Sequence, residues 1–259
     1  MNNAQKSDIT YFELLSFDPI CVPGAGGILC PRLKDISAIG FQTYQYYLSI
    51  LLLDEKSMLK TLTSAGYADD FVSPEKTPLF HAFDLFMMHT SSALLLKDVL
   101  DFFIKEDVVY APEQHCFLIQ TNNGITGAVT NENYDKICSV ILLRNNIRHA
   151  QKEDASKVKS KKASEILKKL QAGRDKKASE TGADENLELG NIISAVANKS
   201  LSLNIQNIWD ITIFQLWDCF ARLSNNSIYD IQSMSVAAWG SKDNSFDASA
   251  WYKRIYTEN

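Results

Sequence analysis

The sequence predicts a mainly helical protein with small β-hairpins, made of an α+β N-terminal region and an all-helical C-terminal module. Apolar residues recur every three to four positions over much of the chain, which is the period of an amphipathic helix. Short β-branched segments beside glycine-containing turns indicate hairpins in the N-terminal part only. A lysine-rich stretch separates the two parts. We therefore expect a domain at 1–150, a charged linker or exposed helix at 151–185, and a helical module at 186–259.

The composition is that of a globular protein. Of the 259 residues, 46% are hydrophobic and 22% are charged, which excludes disorder throughout. The net charge of −5 gives no overall attraction to nucleic acid or to an anionic membrane. The apolar runs are far shorter than the roughly 18 residues that a membrane-spanning helix needs. Five scattered cysteines without a preceding signal sequence favour a reducing cytoplasm, so we expect a cytoplasmic protein with no membrane partner.

The glycines near residue 25 predict a hairpin and not a phosphate site. Two short β-branched runs flank Pro23 to Gly27. A phosphate-binding Walker loop needs a lysine followed by serine or threonine ahead of a helix, whereas Ile-Leu-Cys-Pro follows here. Cys21 and Cys30 can face each other across this hairpin. Their spacing, with no histidine pair nearby, favours free thiols over a metal site, and we predict neither a metal nor a cofactor.

A second hairpin is predicted at Asn122-Asn123-Gly124, because Asn-Gly between β-branched segments is a strong hairpin signal. The segment ahead of it, including His115 and Cys116, is predicted to be one strand. Apolar periodicity predicts helices around these hairpins. They are expected at 32–54, as one continuous helix at 78–104, and from Asn131 through Ile147.

The segment Gln151 to Lys177 holds ten of the 26 lysine and arginine residues. Flexible positive charge is what phosphate contacts require, so a nucleic-acid-binding arm is one interpretation. Interspersed acidic residues and the lack of an aromatic residue to stack on bases favour a solvated linker instead. Under the alternative interpretation, the contact residues would be Lys157, Lys159, Lys161, Lys162, Lys168 and Lys169.

The segment 205–240 carries three of the four tryptophans and the strongest helical pattern. Thr212 and Gln215 match a capping box, which predicts that a helix begins there. Asn225 and Asn226 interrupt the apolar pattern, which predicts two helices forming an αα-hairpin. Because large aromatic side chains bury much area, most of this surface is expected to lie in the core and not to form an exposed docking face.

The chain also resembles a known family. The resemblance is carried by LKDISAIGFQTYQYYLSILLLD, the NNG hairpin, NYDKICSVILLRNN, the lysine-rich connection, NIWDITIFQLWDCFAR and SMSVAAWG. In this order they resemble the tail assembly chaperones of phages and prophages of Gram-positive bacteria. The resemblance covers most of the chain and depends on packing patterns. It implies a protein that keeps the helical tape-measure protein soluble, helps tail-tube subunits polymerise around it, and leaves before the virion is finished.

These observations predict a non-enzymatic assembly factor, with no catalytic residues, whose partner is a tape-measure or tail-tube protein. An amphipathic helix of that partner would lie in an apolar groove. Trp209, Trp217, Phe220 and Trp239 are predicted to form the aromatic cluster that contacts it. One alternative is a structural virion component such as an adaptor or baseplate protein, which would be located in the particle and not in the host cytoplasm. Another is a nucleic-acid-binding protein acting through the basic segment. The sequence leaves the oligomeric state open.

Overall fold

A computed structural model describes most of the chain, in four ranges. These are residues 9–53, 81–147, 187–241 and 246–255. The chain divides into two compact units. The first contains the N-terminal part through Ile147 and the short segment Asp210–Gln215, and the second contains the remaining described C-terminal residues. The predicted class, mainly helical with small antiparallel hairpins, is confirmed.

The first unit combines six helices with two small antiparallel sheets, counted over its described residues. In chain order its elements are α1 (Tyr11–Leu15), β1 (Ile20–Val22), β2 (Gly26–Ile28), α2 (Leu33–Ile39), α3 (Phe41–Leu51), α4 (Ala82–Met87), α5 (Thr90–Phe103), β3 (Asp107–Ala111), β4 (Cys116–Thr121), β5 (Gly124–Val129) and α6 (Asn131–Arg144).

The hairpin predicted at the first glycine-rich turn is confirmed. Strands β1 and β2 pair antiparallel, with Cys21 opposite Gly27. Cys21 and Cys30 therefore do not face each other, and Cys21 is exposed whereas Cys30 is buried. All five cysteines belong to the described residues and have free thiols. Within the described ranges there is no group of three or more histidine, cysteine or acidic residues placed to hold a metal ion.

The continuous helix predicted for 78–104 is wrong for its described part, which forms α4 and α5; Pro78 lies outside the described residues. The break lies at His89, which is the N-cap of α5 in an extended conformation, and His81 is the extended N-cap of α4. His81 Nδ1 accepts from the backbone N–H of Phe83 at 3.3 Å. Between the helices, Ser92 Oγ donates to the Phe86 carbonyl at 2.7 Å and to the His89 carbonyl at 2.9 Å. These side chains replace the hydrogen bonds that a continuous helix would have made.

Strands β3, β4 and β5 form an antiparallel sheet in sequence order. The Asn-Gly hairpin predicted between the last two strands is confirmed. The single strand predicted ahead of it is wrong, because a 3₁₀ turn at Pro112–Gln114 divides it. His115 follows this turn with φ of 51°, a left-handed conformation, and so precedes β4. Proline removes a backbone donor and therefore does not continue a strand ladder.

Helix α6 is the centre of the first unit and contacts α3, α4, β1, β2 and β5. Ile137 and Ile141 are fully buried on it. Beside it, the ring of Phe83 lies 5.4 Å from that of Tyr134 and 6.0 Å from that of Phe117, measured between centroids. Such tilted and edge-to-face aromatic pairs stabilise a core beyond the area they bury.

The last residue of α6, Arg144, is fully buried. Its Nη1 donates to the carbonyls of Asp18 at 2.8 Å and Ile28 at 3.3 Å, and its Nη2 donates to the carbonyl of Ser16 at 3.0 Å. In return, Cys30 Sγ donates to the Arg144 carbonyl at 3.1 Å. One guanidinium thus fixes the chain on both sides of the first hairpin.

The second unit is helical in its described residues. Helix α7 (Leu189–Lys199) buries Ile192, Ile193 and Val196 on one face. A 3₁₀ turn follows at Ile208–Asp210, then the long helix α8 (Ile213–Trp239), whose first three residues belong to the first unit. A last 3₁₀ turn lies at Ala250–Tyr252. The segment predicted as a charged linker, 151–185, lies outside the described residues. No helix in the described ranges is long and apolar enough to cross a membrane.

The αα-hairpin predicted for 212–240 is wrong, since α8 is one helix of 27 residues. Relative to alanine, asparagine in a helix interior costs only a few tenths of a kcal/mol, roughly 0.7 at most. Two neighbouring asparagines therefore end a helix only where no other contact offsets this cost. At Asn225 this cost is offset, because its Nδ2 donates to the Ala250 carbonyl at 2.9 Å.

Candidate partner-binding surface

The segment Asp210–Gln215, named the strap below, fixes the start of α8 within the first unit. Thr212 forms an isolated antiparallel bridge with Arg32. On either side, the Leu33 N–H donates to the Ile211 carbonyl and the Ile213 N–H donates to the Pro31 carbonyl, both at 3.0 Å. These two backbone hydrogen bonds, which make up the bridge, hold the strap beside the start of α2.

The predicted capping box is confirmed. The Gln215 N–H donates to Thr212 Oγ1 at 3.2 Å, and the Thr212 N–H donates to Gln215 Oε1 at 3.0 Å. Gln215 also uses its amide Nε2 to donate to the Leu15 carbonyl at 2.8 Å. The cap thus satisfies two backbone donors and connects the strap to α1 as well.

Replacing Thr212 with alanine is expected to lower the free energy of unfolding by about 1 kcal/mol, because the Gln215 N–H loses its acceptor. Denaturant unfolding of the full chain followed by circular dichroism measures this change. Gln232→Ala, at an exposed position of the same helix, is the control and should leave stability nearly unchanged. Equal losses in the two variants would contradict a specific role for the cap.

Beyond Leu216, no residue of α8 is fully buried, and its apolar side chains project outward. The exposed fractions are 55% for Ile228, 66% for Ile231, 64% for Met234 and 86% for Trp239. The expectation that this surface lies in the core is therefore wrong for this half of the helix. Together the four side chains expose on the order of 500 Å², as much as the largest apolar patch of a typical monomeric protein. This row, with Ala238 at its end, is named the apolar stripe.

The C-terminal segment packs along a different side of α8. Arg222 Nη1 donates to the Lys253 carbonyl at 2.8 Å, and the Tyr229 ring lies 5.6 Å from that of Phe246. Asn225, which contacts Ala250, lies on the same side. At 100° per residue these three side chains point roughly opposite to Ile231. The described C-terminal residues, 246–255, therefore leave the apolar stripe uncovered.

The four aromatic residues predicted as one cluster do not all meet. Trp217 and Phe220 are half-buried and in edge-to-face contact, with ring centroids 6.2 Å apart. Trp209 lies in the 3₁₀ turn before the strap, where its indole N–H donates to the Ile205 carbonyl at 2.9 Å. Trp239 ends α8, about 33 Å from Trp217 along the helix axis at 1.5 Å per residue. The four side chains could form a single cluster only if the predicted αα-hairpin brought Trp239 back towards Trp217. The role of the four residues as partner contacts stays a prediction.

Ile228, Ile231 and Met234 were not among the predicted contact residues. Their three-residue spacing was visible, but periodicity identifies an apolar face without saying what covers it. The better signal was the four serines among residues 224–235. Small polar residues at this density are uncommon on a helix enclosed by core.

The stripe is uncharged. The charged residues of α8 are Asp218, Arg222 and Asp230, so the helix carries no charge from Ile231 to its end. A partner for such a surface must itself present apolar side chains, because a charged group would lose hydration without gaining an opposite charge. The six lysines predicted as alternative nucleic-acid contacts lie outside the described residues.

Three of the thiols are held in their protonated form. Burial raises the pKa of Cys138 to about 12. Burial also raises the pKa of Cys116 and of Cys219 above the ordinary value, with the charge of Asp218 adding to the effect at Cys219. The thiolate is the reactive species of cysteine, so these three side chains have the character of structural thiols.

Comparison with known proteins supports a phage connection. Residues 176–256 match the family model described as the second domain of YomV, a phage- or prophage-type protein of Bacillus. The matched residues include α7, the strap, all of α8 and the last 3₁₀ turn. Comparisons with curated proteins and with solved structures found no match. The family match indicates a phage-related protein, and the helix bearing the apolar stripe lies inside the matched region.

Proposed function

We propose that this chain is a non-enzymatic phage tail assembly factor that binds a helical segment of the tape-measure or tail-tube protein through the apolar stripe. The observation that carries the proposal is the exposed apolar side of α8, within the residues that match a phage family. The predicted resemblance to tail assembly chaperones supplies the identity of the partner. Its site of action would be the host cytoplasm.

The geometry of the stripe suits an amphipathic helix. Ile228, Ile231 and Met234 lie on neighbouring turns and offer protruding side chains to the groove of a second helix. Met234 adds a flexible side chain that adapts to different neighbours. From Ile228 to Trp239 the stripe runs about 17 Å at 1.5 Å per residue, which is the length of about three turns of a partner helix. Covering an apolar helix over this length would keep a long helical protein from aggregating.

The test is capture of the partner by a tagged chain in cells that produce the phage, read by mass spectrometry. Wild-type protein should recover tape-measure or tail-tube protein. Ile231→Glu places a charge in the middle of the stripe and should reduce recovery roughly a hundredfold, since an unpaired buried charge costs several kcal/mol. Ser233→Glu, about 160° around the same helix from Ile231, is the matched control and should retain capture.

Purified phage particles provide the second readout. An assembly factor should be absent from finished particles, whereas an adaptor or baseplate protein should be present in fixed stoichiometry. Presence in the particle would replace the proposal by the structural alternative. Equal capture by wild type and by Ile231→Glu would show that the partner binds elsewhere.

A further inference from the structure

We infer that in the free protein the apolar stripe is covered by a second copy of this chain, paired antiparallel along α8. This goes beyond the proposed function, because it identifies the occupant of the stripe before any phage partner binds. It rests on three features of the helix: its spacing, the order of large and small side chains, and the area exposed.

The spacing is that of a coiled-coil seam. Starting at Phe220, seam positions follow in alternating steps of four and three residues: Phe220, Ser224, Ser227, Ile231, Met234 and Ala238. A repeat of 3.5 residues keeps one narrow line of side chains facing a partner helix over several turns. The six positions thus form one line along α8, with small serines at its middle, and Ile228 and Trp239 of the stripe lie to one side of this line.

The order of side-chain sizes favours antiparallel pairing. With the two helices centred on residue 229, Phe220 meets Ala238 of the second copy, Ser224 meets Met234, and Ser227 meets Ile231. Every layer then combines one large and one small side chain, which fills the space between helices evenly. Because a two-fold axis relates the two copies, each of these three pairs occurs twice, which gives six layers.

Parallel pairing would place identical residues opposite each other. Ser224 would face Ser224 and Ser227 would face Ser227, so the middle of the seam would lose its apolar contacts and leave space unfilled. Unfilled space in a helix interface costs stability in proportion to its volume. The same residues that fit in the antiparallel arrangement therefore disfavour the parallel one.

The exposed apolar area fits a small interface. Ile228, Ile231 and Met234 expose on the order of 350 Å² in each copy, so two copies would hide roughly 700 Å² of apolar surface, which predicts a weak dimer whose population rises with concentration. Asp230 is the single charged residue between Leu223 and Trp239, and it flanks the seam without entering it. The C-terminal segment packs on the other side of α8, through Arg222, and does not obstruct the pairing.

Sedimentation equilibrium of the full chain over a range of concentrations tests the dimer. Wild-type protein should approach twice the chain mass of 29.1 kDa. Ile231→Glu places a carboxylate against Ser227 of the second copy and should weaken association roughly a hundredfold. Ser233→Glu, on the side of the helix away from the seam, should dimerise like wild type. Ile231 is exposed and Ser233 is partly exposed, and circular dichroism verifies that each variant is folded.

Mixing two variants tests the orientation. Ser227→Arg and Ile231→Glu should each dimerise poorly alone, yet form a heterodimer when mixed. In the antiparallel register the new arginine of one chain faces the new glutamate of the other, and the remaining Ser227 and Ile231 still meet as in wild type. In a parallel register the substituted positions lie in different layers, so mixing would restore nothing.

A wild-type chain that stays monomeric at every concentration would overturn the inference, as would a dimer unaffected by Ile231→Glu or a mixture that shows no recovery. These results are separable from the proposed function. A monomer that captures tape-measure protein refutes the self-pairing alone. A dimer that captures no phage protein refutes the proposed function alone.

Discussion

Replacing Arg144 with methionine is expected to lower the free energy of unfolding by about 3 kcal/mol, because buried carbonyls lose a hydrogen-bond donor. The guanidinium is fully buried and donates to the carbonyls of Ser16, Asp18 and Ile28. Methionine fills similar space but donates nothing, so three carbonyls lose their partner. Urea unfolding followed by circular dichroism measures the loss.

Two further variants separate this network from a general arginine effect. Arg144→Lys retains the positive charge but cannot reach three carbonyls in different directions, and it should lose a large part of the same stability. Arg222→Met is the control, because that side chain donates to the Lys253 carbonyl at an exposed site. Its loss should stay below about 1 kcal/mol. An equally small loss for Arg144→Met would contradict the structural role described for the network.

Gly127→Ala is expected to cost about 2 to 3 kcal/mol by overpacking. A Cβ atom there would lie 2.2 Å from the Gly24 carbonyl oxygen and 2.7 Å from its carbon. These are backbone atoms of the turn between β1 and β2, where Gly24 has φ of +78°. The turn must therefore shift away from β5. Urea unfolding measures the loss, and faster hydrogen exchange at the first hairpin would locate it.

Gly190→Ala is the matched control for this prediction. Gly190 lies in the first turn of α7, and a Cβ atom there would meet no atom within 4 Å. Since alanine favours helix over glycine, this variant should gain up to about 1 kcal/mol. Opposite signs for the two glycine substitutions are the expected outcome. A loss of similar size in both would show that the close approach at Gly24 is not the cause.

Local signals in the sequence predicted local structure well. The Asn-Gly hairpin and the capping box at Thr212 each depend on residues within four positions of one another, so the pattern contains all the determinants. The break between α4 and α5 was missed although it is also local. Histidine is a rare N-cap, and the serine that closes the gap, Ser92, uses carbonyls up to six residues away.

Determinants distant in sequence were not visible. Asn225 remains helical because its amide meets Ala250, 25 residues later, and no pattern around Asn225 indicates that contact. The position of Arg144 at a helix end is typical of an exposed arginine, yet it is fully buried against backbone more than 100 residues earlier. Likewise, the periodicity of α8 gave the apolar side of the helix, but whether Ile231 is covered depends on the rest of the fold.

The strap has a consequence for synthesis of the chain on the ribosome. Its Gln215 amide contacts Leu15, 200 residues earlier, and its Ile213 and Phe214 are buried. Closing so long a loop costs little more entropy than closing a shorter one. Folding of the first unit is delayed for a different reason, because the ribosome must translate α7 before it produces the strap. Until then the first unit lacks residues that complete its core. We therefore expect this unit to finish folding only after the ribosome has made the strap, which lies inside the family-matched residues 176–256.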